Sequence, residues 1–81
     1  MKTIARITPD NPINLERLEV QVTKSINLLK AYPTFGVKAL SCNTIKGSVY
    51  VELDIDNDEL AARMKDRTDW NTDVEAQVLW L

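Results

Sequence analysis

Apolar and polar positions along this chain repeat with two different periods, and the places where the period changes mark the elements. Lys2-Thr3-Ile4-Ala5-Arg6-Ile7 is short and rich in residues that suit a pleated strand, and Thr8-Pro9-Asp10-Asn11-Pro12 punctuates it. Asn11 before Pro12 suits the start of a helix, because the Asn side chain can accept from a free helical N–H and Pro lacks the donor that would go unpaired there. From there Leu15, Leu18, Val22, Ile26 and Leu29 recur at steps of three and four, which predicts an amphipathic helix ending near Ala31-Tyr32, ahead of Pro33. The run Leu18-Glu19-Val20-Gln21-Val22-Thr23 carries a competing signal, alternating as a half-buried strand would; the length of the longer pattern and its start and stop signals favour the helix.

After Phe35-Gly36, the runs Val37–Cys42 and Ser48–Ile55 flank Asn43-Thr44-Ile45-Lys46-Gly47, which predicts a hairpin with a five-residue connection ending in Gly. In its second strand Val49, Val51, Leu53 and Ile55 fall on one face, and Ser48, Tyr50, Glu52 and Asp54 on the other. Asp56 with Glu59 reads as a capping box for a short helix that turns Leu60, Ala61 and Met64 toward the core, with Ala62 as a further candidate, and stops around Asp66 to Thr68. A polar turn over Thr68–Asp73 leads into a last strand over Val74–Leu81. If Val74, Ala76, Val78 and Trp80 face the helices, then Glu75, Gln77, Leu79 and Leu81 face away from them.

The order β-α-β-β-α-β predicts an α+β, ferredoxin-like (split βαβ) fold: a four-stranded antiparallel sheet in the order 4-1-3-2 with two helices on one face. Lys2 and Arg6 would then neighbour Glu52 and Asp54 across the first and third strands. Exposed pairs of this kind are worth about 0–1 kcal/mol each, so they help to set register and do not hold the fold together.

Composition narrows the class. The 81 residues carry 10 Lys plus Arg against 12 Asp plus Glu, no His and a formal charge of −2, with 44% apolar and 27% charged residues, as expected of one small folded domain spanning residues 1–81. No internal repeat, low-complexity tract or linker suggests a second domain. The lone Cys42 allows no internal disulfide, so stability rests on packing, or on packing plus self-association, and the thiol suits a reducing compartment. With no secretory pattern at the N-terminus and no apolar run approaching a membrane span, a cytoplasmic protein with no membrane partner is the expectation.

The missing His removes the commonest general base and the commonest metal ligand, and Cys42 lacks a His to activate it; no catalytic residue is assigned and no enzyme is expected. Asp54-x-Asp56-x-Asp58 copies the first ligands of a calcium loop. Glu59 stands where that loop turns on Gly, however, and Lys65 where its bidentate Glu belongs, so neither metal nor cofactor is expected. Lys46-Gly47 ahead of Tyr50-Val51 resembles the third-strand signature of the RNA-recognition motif, a resemblance that implies single-stranded nucleic-acid binding centred on Lys46 and Tyr50. Ser48 and Leu53 occupy the other aromatic places of that signature, and Glu52 and Asp54 would meet phosphates with like charge, which disfavours a nucleic-acid partner.

What remains is apolar surface. Ile4, Tyr50, Leu79 and Leu81, with Glu52 and Asp54 among them, would share the sheet face that no helix covers. That combination predicts a small non-enzymatic protein–protein interaction module using its open face or a strand edge. It would either self-associate as a homodimer or block a larger protein partner, as a phage or mobile-element inhibitor does. Two alternatives stand beside it: the nucleic-acid reading, and a small-ligand sensor or carboxylate enzyme built on the acidic run Glu52–Glu59. Incidental exposure of a little apolar area, common to nearly all proteins, accounts for the same residues without any partner.

Overall fold

Alternation along the first strand is realised in full: Thr3, Ala5, Ile7 and Pro9 of β1 (Lys2–Pro9) are buried, while Lys2 and Ile4 are exposed. The strand runs two residues beyond the expected stop at Ile7, because Thr8 and Pro9 continue the pairing with the last strand. The structure is a computed structural model and describes residues 2–66, 70 and 72–81.

Asn11 caps as its sequence context predicts, its Oδ1 accepting from the Ile13 N–H at 3.1 Å. The turn it caps is a 3-10 turn, Pro12–Asn14, which leads directly into α1 (Leu15–Ala31). Leu18, Val22 and Ile26 are buried, Leu15 and Leu29 pack against the core from its margin, and Val20 is half exposed. The period of 3.6 therefore prevails over the alternating pattern in Leu18–Thr23, since a strand would have put Val20 on the same side as Leu18. Pro33 ends the helix where expected, after the Tyr32 N–H closes on Leu28 O at 3.1 Å.

β2 (Val37–Ile45) and β3 (Ser48–Ile55) form the hairpin, joined by Lys46-Gly47 rather than by the five-residue connection expected. Both turn residues have positive φ, 49° and 84°, the backbone of a type I′ turn whose twist matches the flanking strands. Gly meets that requirement without strain. Lys46 meets it against the preference of its side chain, which is why the sequence suggests a longer loop. A bulge at Leu40 interrupts the pairing between Ala39 and Ser41.

The capping box expected from Asp56 and Glu59 is replaced by its neighbour. Asn57 Oδ1 accepts from the Leu60 N–H at 2.8 Å and starts α2 (Asp58–Asp66), leaving Glu59 to pair with Arg63 one turn on. Asp56 instead gives its N–H to Gly36 O at 3.0 Å. Gly36, at φ 72°, is needed there, because a Cβ would lie 3.0 Å from Leu60 Cδ2 and 3.2 Å from Asp56 Oδ2. Ala61 is buried, Leu60 and Met64 pack against the core, and Ala62 is exposed, on the outer side of a helix too short to bury a second stripe. Of the turn expected after it, Arg67, Thr68, Asp69 and Asn71 lie outside the described residues.

The chain returns past α1 before β4 (Ala76–Trp80), which starts two residues later than expected. Polar residues at steps of four on α1 hold this passage. The Arg17 side chain pairs with Asp73; Gln21 Oε1 accepts from the Asp73 N–H at 2.9 Å and from the Thr72 hydroxyl; and the Ser25 hydroxyl donates to the Trp70 carbonyl. Trp70 is buried beside Trp80, their ring centroids 6.1 Å apart.

The four strands lie in the order β2-β3-β1-β4 and every neighbouring pair is antiparallel. Read from β4, this is the order 4-1-3-2. Ala5, Ile7, Val49, Val51, Leu53 and Ile55 form the sheet side of one core, which Leu18, Val22 and Ile26 of α1 and Ala61 of α2 complete. This α+β architecture leaves the opposite sheet face open.

Candidate functional site

Because side chains alternate along every strand, strand register alone decides what the open face presents. In its middle, Asn43, Tyr50, Arg6 and Leu79 form a row across β2, β3, β1 and β4. The adjacent row is Ser41, Glu52, Ile4 and Leu81, the last held by its N–H to Ile4 O at 2.8 Å. Beyond it Lys38, Asp54 and Lys2 stand side by side. On the other flank the Thr8 and Ser48 hydroxyls meet at 2.7 Å.

All six residues singled out from the sequence therefore share one surface. Ile4, Leu79 and Leu81 are exposed, at 37%, 47% and 60%, and Ile4 and Leu81 are direct neighbours. Tyr50, Glu52 and Asp54 are half-buried, so this side of β3 is less open than its polar composition suggests: its neighbours on both sides cover it. The expected approach of Lys2 and Arg6 to Glu52 and Asp54 is present in modified form, with Lys2 opposite Asp54, Arg6 opposite Tyr50, and Glu52 opposite Ile4 between the two cations. The two central strands thus carry opposite signs: the outward side of β1 is basic and that of β3 acidic.

Lys46 sits on the hairpin turn, beyond the Ser48 row from Tyr50. Tyr50 lies between Asn43 and Arg6, and the same strand face carries Glu52 and Asp54. The carboxylates Asp54, Asp56 and Asp58 are parted by the end of β3 and the start of α2. Among the described residues no three His, Cys, Asp or Glu side chains are grouped to hold a metal ion. Among the same residues no helix is long and apolar enough to cross a membrane.

Cys42 lies on the helix-covered side, half-buried, with the Thr23 side chain as hydrogen-bond partner. Burial pushes its thiol pKa up and Glu19 adds to this, while Thr23 and Lys30 pull the other way without cancelling it. A raised pKa means less thiolate at a given pH, so alkylation of Cys42 at pH 8 is expected to run several-fold slower than that of a free thiol. Its rate should climb with pH past the point where a free thiol levels off, and denaturant should erase the difference; thiol-labelling kinetics read by mass measure all of this.

Two apolar features were not singled out from the sequence. Leu40 and Ile45 are exposed on β2, and Leu40 owes its position to the bulge, for which the sequence carries no signal. On the helical side Ile13, Val20, Leu28, Tyr32 and Phe35 are exposed, the last two with rings 5.9 Å apart. Val20 and Leu28 were legible as apolar residues off the buried stripe of α1. Comparison with known protein families, curated proteins and solved structures finds no match to this chain.

Proposed function

We propose that this chain is a small protein-interaction module of ferredoxin-like arrangement whose working surface is the open sheet face. The observation that carries this reading is the adjacency of Ile4, Leu79 and Leu81, exposed apolar side chains lying beside Arg6 and Tyr50 on one uncovered surface. Covering them returns apolar area to a protein environment at roughly 25 cal/mol per Å2, a substantial gain for a domain whose own core is small. The charges on the same face give specificity: Lys2, Arg6 and Lys38 alternate with Glu52 and Asp54, so a partner must match signs as well as shape.

A photoreactive amino acid placed at position 79, with Asn27 on the exposed side of α1 as control position, tests the surface in the native cell. Irradiation is expected to yield discrete protein adducts from position 79 and none from position 27. Failure of position 79 to crosslink to any protein, or equal labelling from both positions, would remove the open face as the working surface.

A further inference from the structure

The separation of charge between the two central strands constrains what fits on them. We propose that the open face is occupied by a second copy of this chain, related by a two-fold axis that runs along the boundary between β1 and β3, parallel to the strands. The proposal rests on reading this face as an interaction surface and goes further by naming the occupant and its orientation.

β1 presents Lys2, Ile4 and Arg6 outward, and beside it β3 presents Asp54, Glu52 and Tyr50. A two-fold axis between these strands exchanges them, so the basic stripe of each copy lies over the acidic stripe of the other. Lys2 then meets the opposing Asp54, and Arg6 comes over the opposing Tyr50 ring, where a cation is favoured. The opposing Glu52 falls above Ile4 with a cation on either side. Every favourable pair occurs twice, as an isologous contact requires.

An axis perpendicular to the strands pairs the charges worse. If Ile4 lies on itself, then Glu52 lies on Glu52 and Arg6 on Lys2; shifting it by half a row leaves Lys2 and Asp54 over hydroxyls and without opposite charges. The strand-parallel axis is the arrangement that the charges select. Under it Leu79 lies over the opposing Asn43 and Leu81 over the opposing Ser41, next in the chain to the exposed Leu40 of the bulge. Two sheets packed in this way keep their strands roughly aligned, as sheet pairs do.

Four strands about 4.8 Å apart, each with three or four outward residues about 6.8 Å apart, give a footprint of roughly 450 Å2 per copy. Stable interfaces bury about 800 Å2 per partner. The dimer is therefore weak and concentration-dependent, and its charge pairs make it salt-sensitive.

Sedimentation equilibrium over a concentration series tests the proposal with two variants, Lys2→Glu and Asp54→Lys, the two positions that face each other across the axis. In the proposed dimer each variant alone puts like charges face to face, and its self-association is expected to weaken about tenfold. Mixed together, the Lys2→Glu copy sets its carboxylate against the ammonium of the Asp54→Lys copy while the unchanged Asp54 and Lys2 still meet, and the mixture is expected to associate within about twofold of the unmodified protein. Circular dichroism of each variant confirms that it is folded. Unmodified protein that remains monomeric up to millimolar concentration overturns self-association, as does a mixture that gains nothing over its components. In either case adducts from position 79 to a different protein would leave the interaction surface standing with another occupant, whereas no adducts at all would remove both readings.

Discussion

Leu18→Ala is expected to destabilise the protein by about 3–4 kcal/mol, while Val20→Ala, two residues further on, changes stability by less than about 0.5 kcal/mol. Leu18 is fully buried in the core between α1 and the sheet, so truncation removes its transfer free energy and leaves a cavity that its close-packed, largely β-branched surroundings cannot fully close. Val20 is half exposed on the outer side of the same helix, and the better helix propensity of Ala offsets what little burial it loses. For a chain of this length total stability is roughly 4–12 kcal/mol, so the first change consumes a large part of it. At about 4–8 °C per kcal/mol the melting temperature should fall by more than about 10 °C for Leu18→Ala and hardly move for Val20→Ala. Urea unfolding and thermal melting followed by circular dichroism measure both. Equal losses at the two positions would mean that Leu18 and Val20 share a buried side, as in a strand, and would contradict α1.

That contrast also shows where sequence periodicity is informative. Over a helix as long as α1 the 3.6-residue repeat of Leu15, Leu18, Val22, Ile26 and Leu29 outlasts a local alternation of six residues, and in β3 the unbroken sequence Val49, Val51, Leu53, Ile55 permits one burial pattern. The open face follows from the same parity, which is why Ile4, Tyr50, Glu52, Asp54, Leu79 and Leu81 were recognisable together. Less legible were features decided by single backbone choices. Lys46 adopts a positive φ that its residue type disfavours, and this turns an apparent five-residue connection into a two-residue turn and extends β2 to Ile45. Asn57 competes successfully with Asp56 for the start of α2 because the Asp56 N–H is committed to Gly36 O, a contact between segments far apart in sequence. The bulge at Leu40 is likewise settled by pairing geometry, and it exposes an apolar side chain at the edge of the candidate surface.

Trp70 is the instructive case, since its flanking residues are polar and it reads as part of a turn, yet it is 5% exposed. Its ring packs by Trp80 and its carbonyl is held by the Ser25 hydroxyl, so it fastens the return of the chain from α2 to β4. Trp70→Ala should cost about 3–5 kcal/mol, as expected for a large buried aromatic, with the ring pair included in that loss. Trp70→Phe separates two contributions. The indole Nε1–H is buried without a hydrogen-bond partner among the described residues, and an unsatisfied buried donor costs about 1–3 kcal/mol. Phe removes that donor while keeping an aromatic ring against Trp80, so its lost contact area is largely offset and the net cost should stay near 1 kcal/mol. Urea unfolding by circular dichroism, which avoids relying on the replaced fluorophore, gives both values. If Phe costs as much as Ala, the indole N–H is satisfied in solution and Trp70 acts through a hydrogen bond; a small cost for Phe and a large one for Ala identifies ring burial as what anchors the passage between α2 and β4.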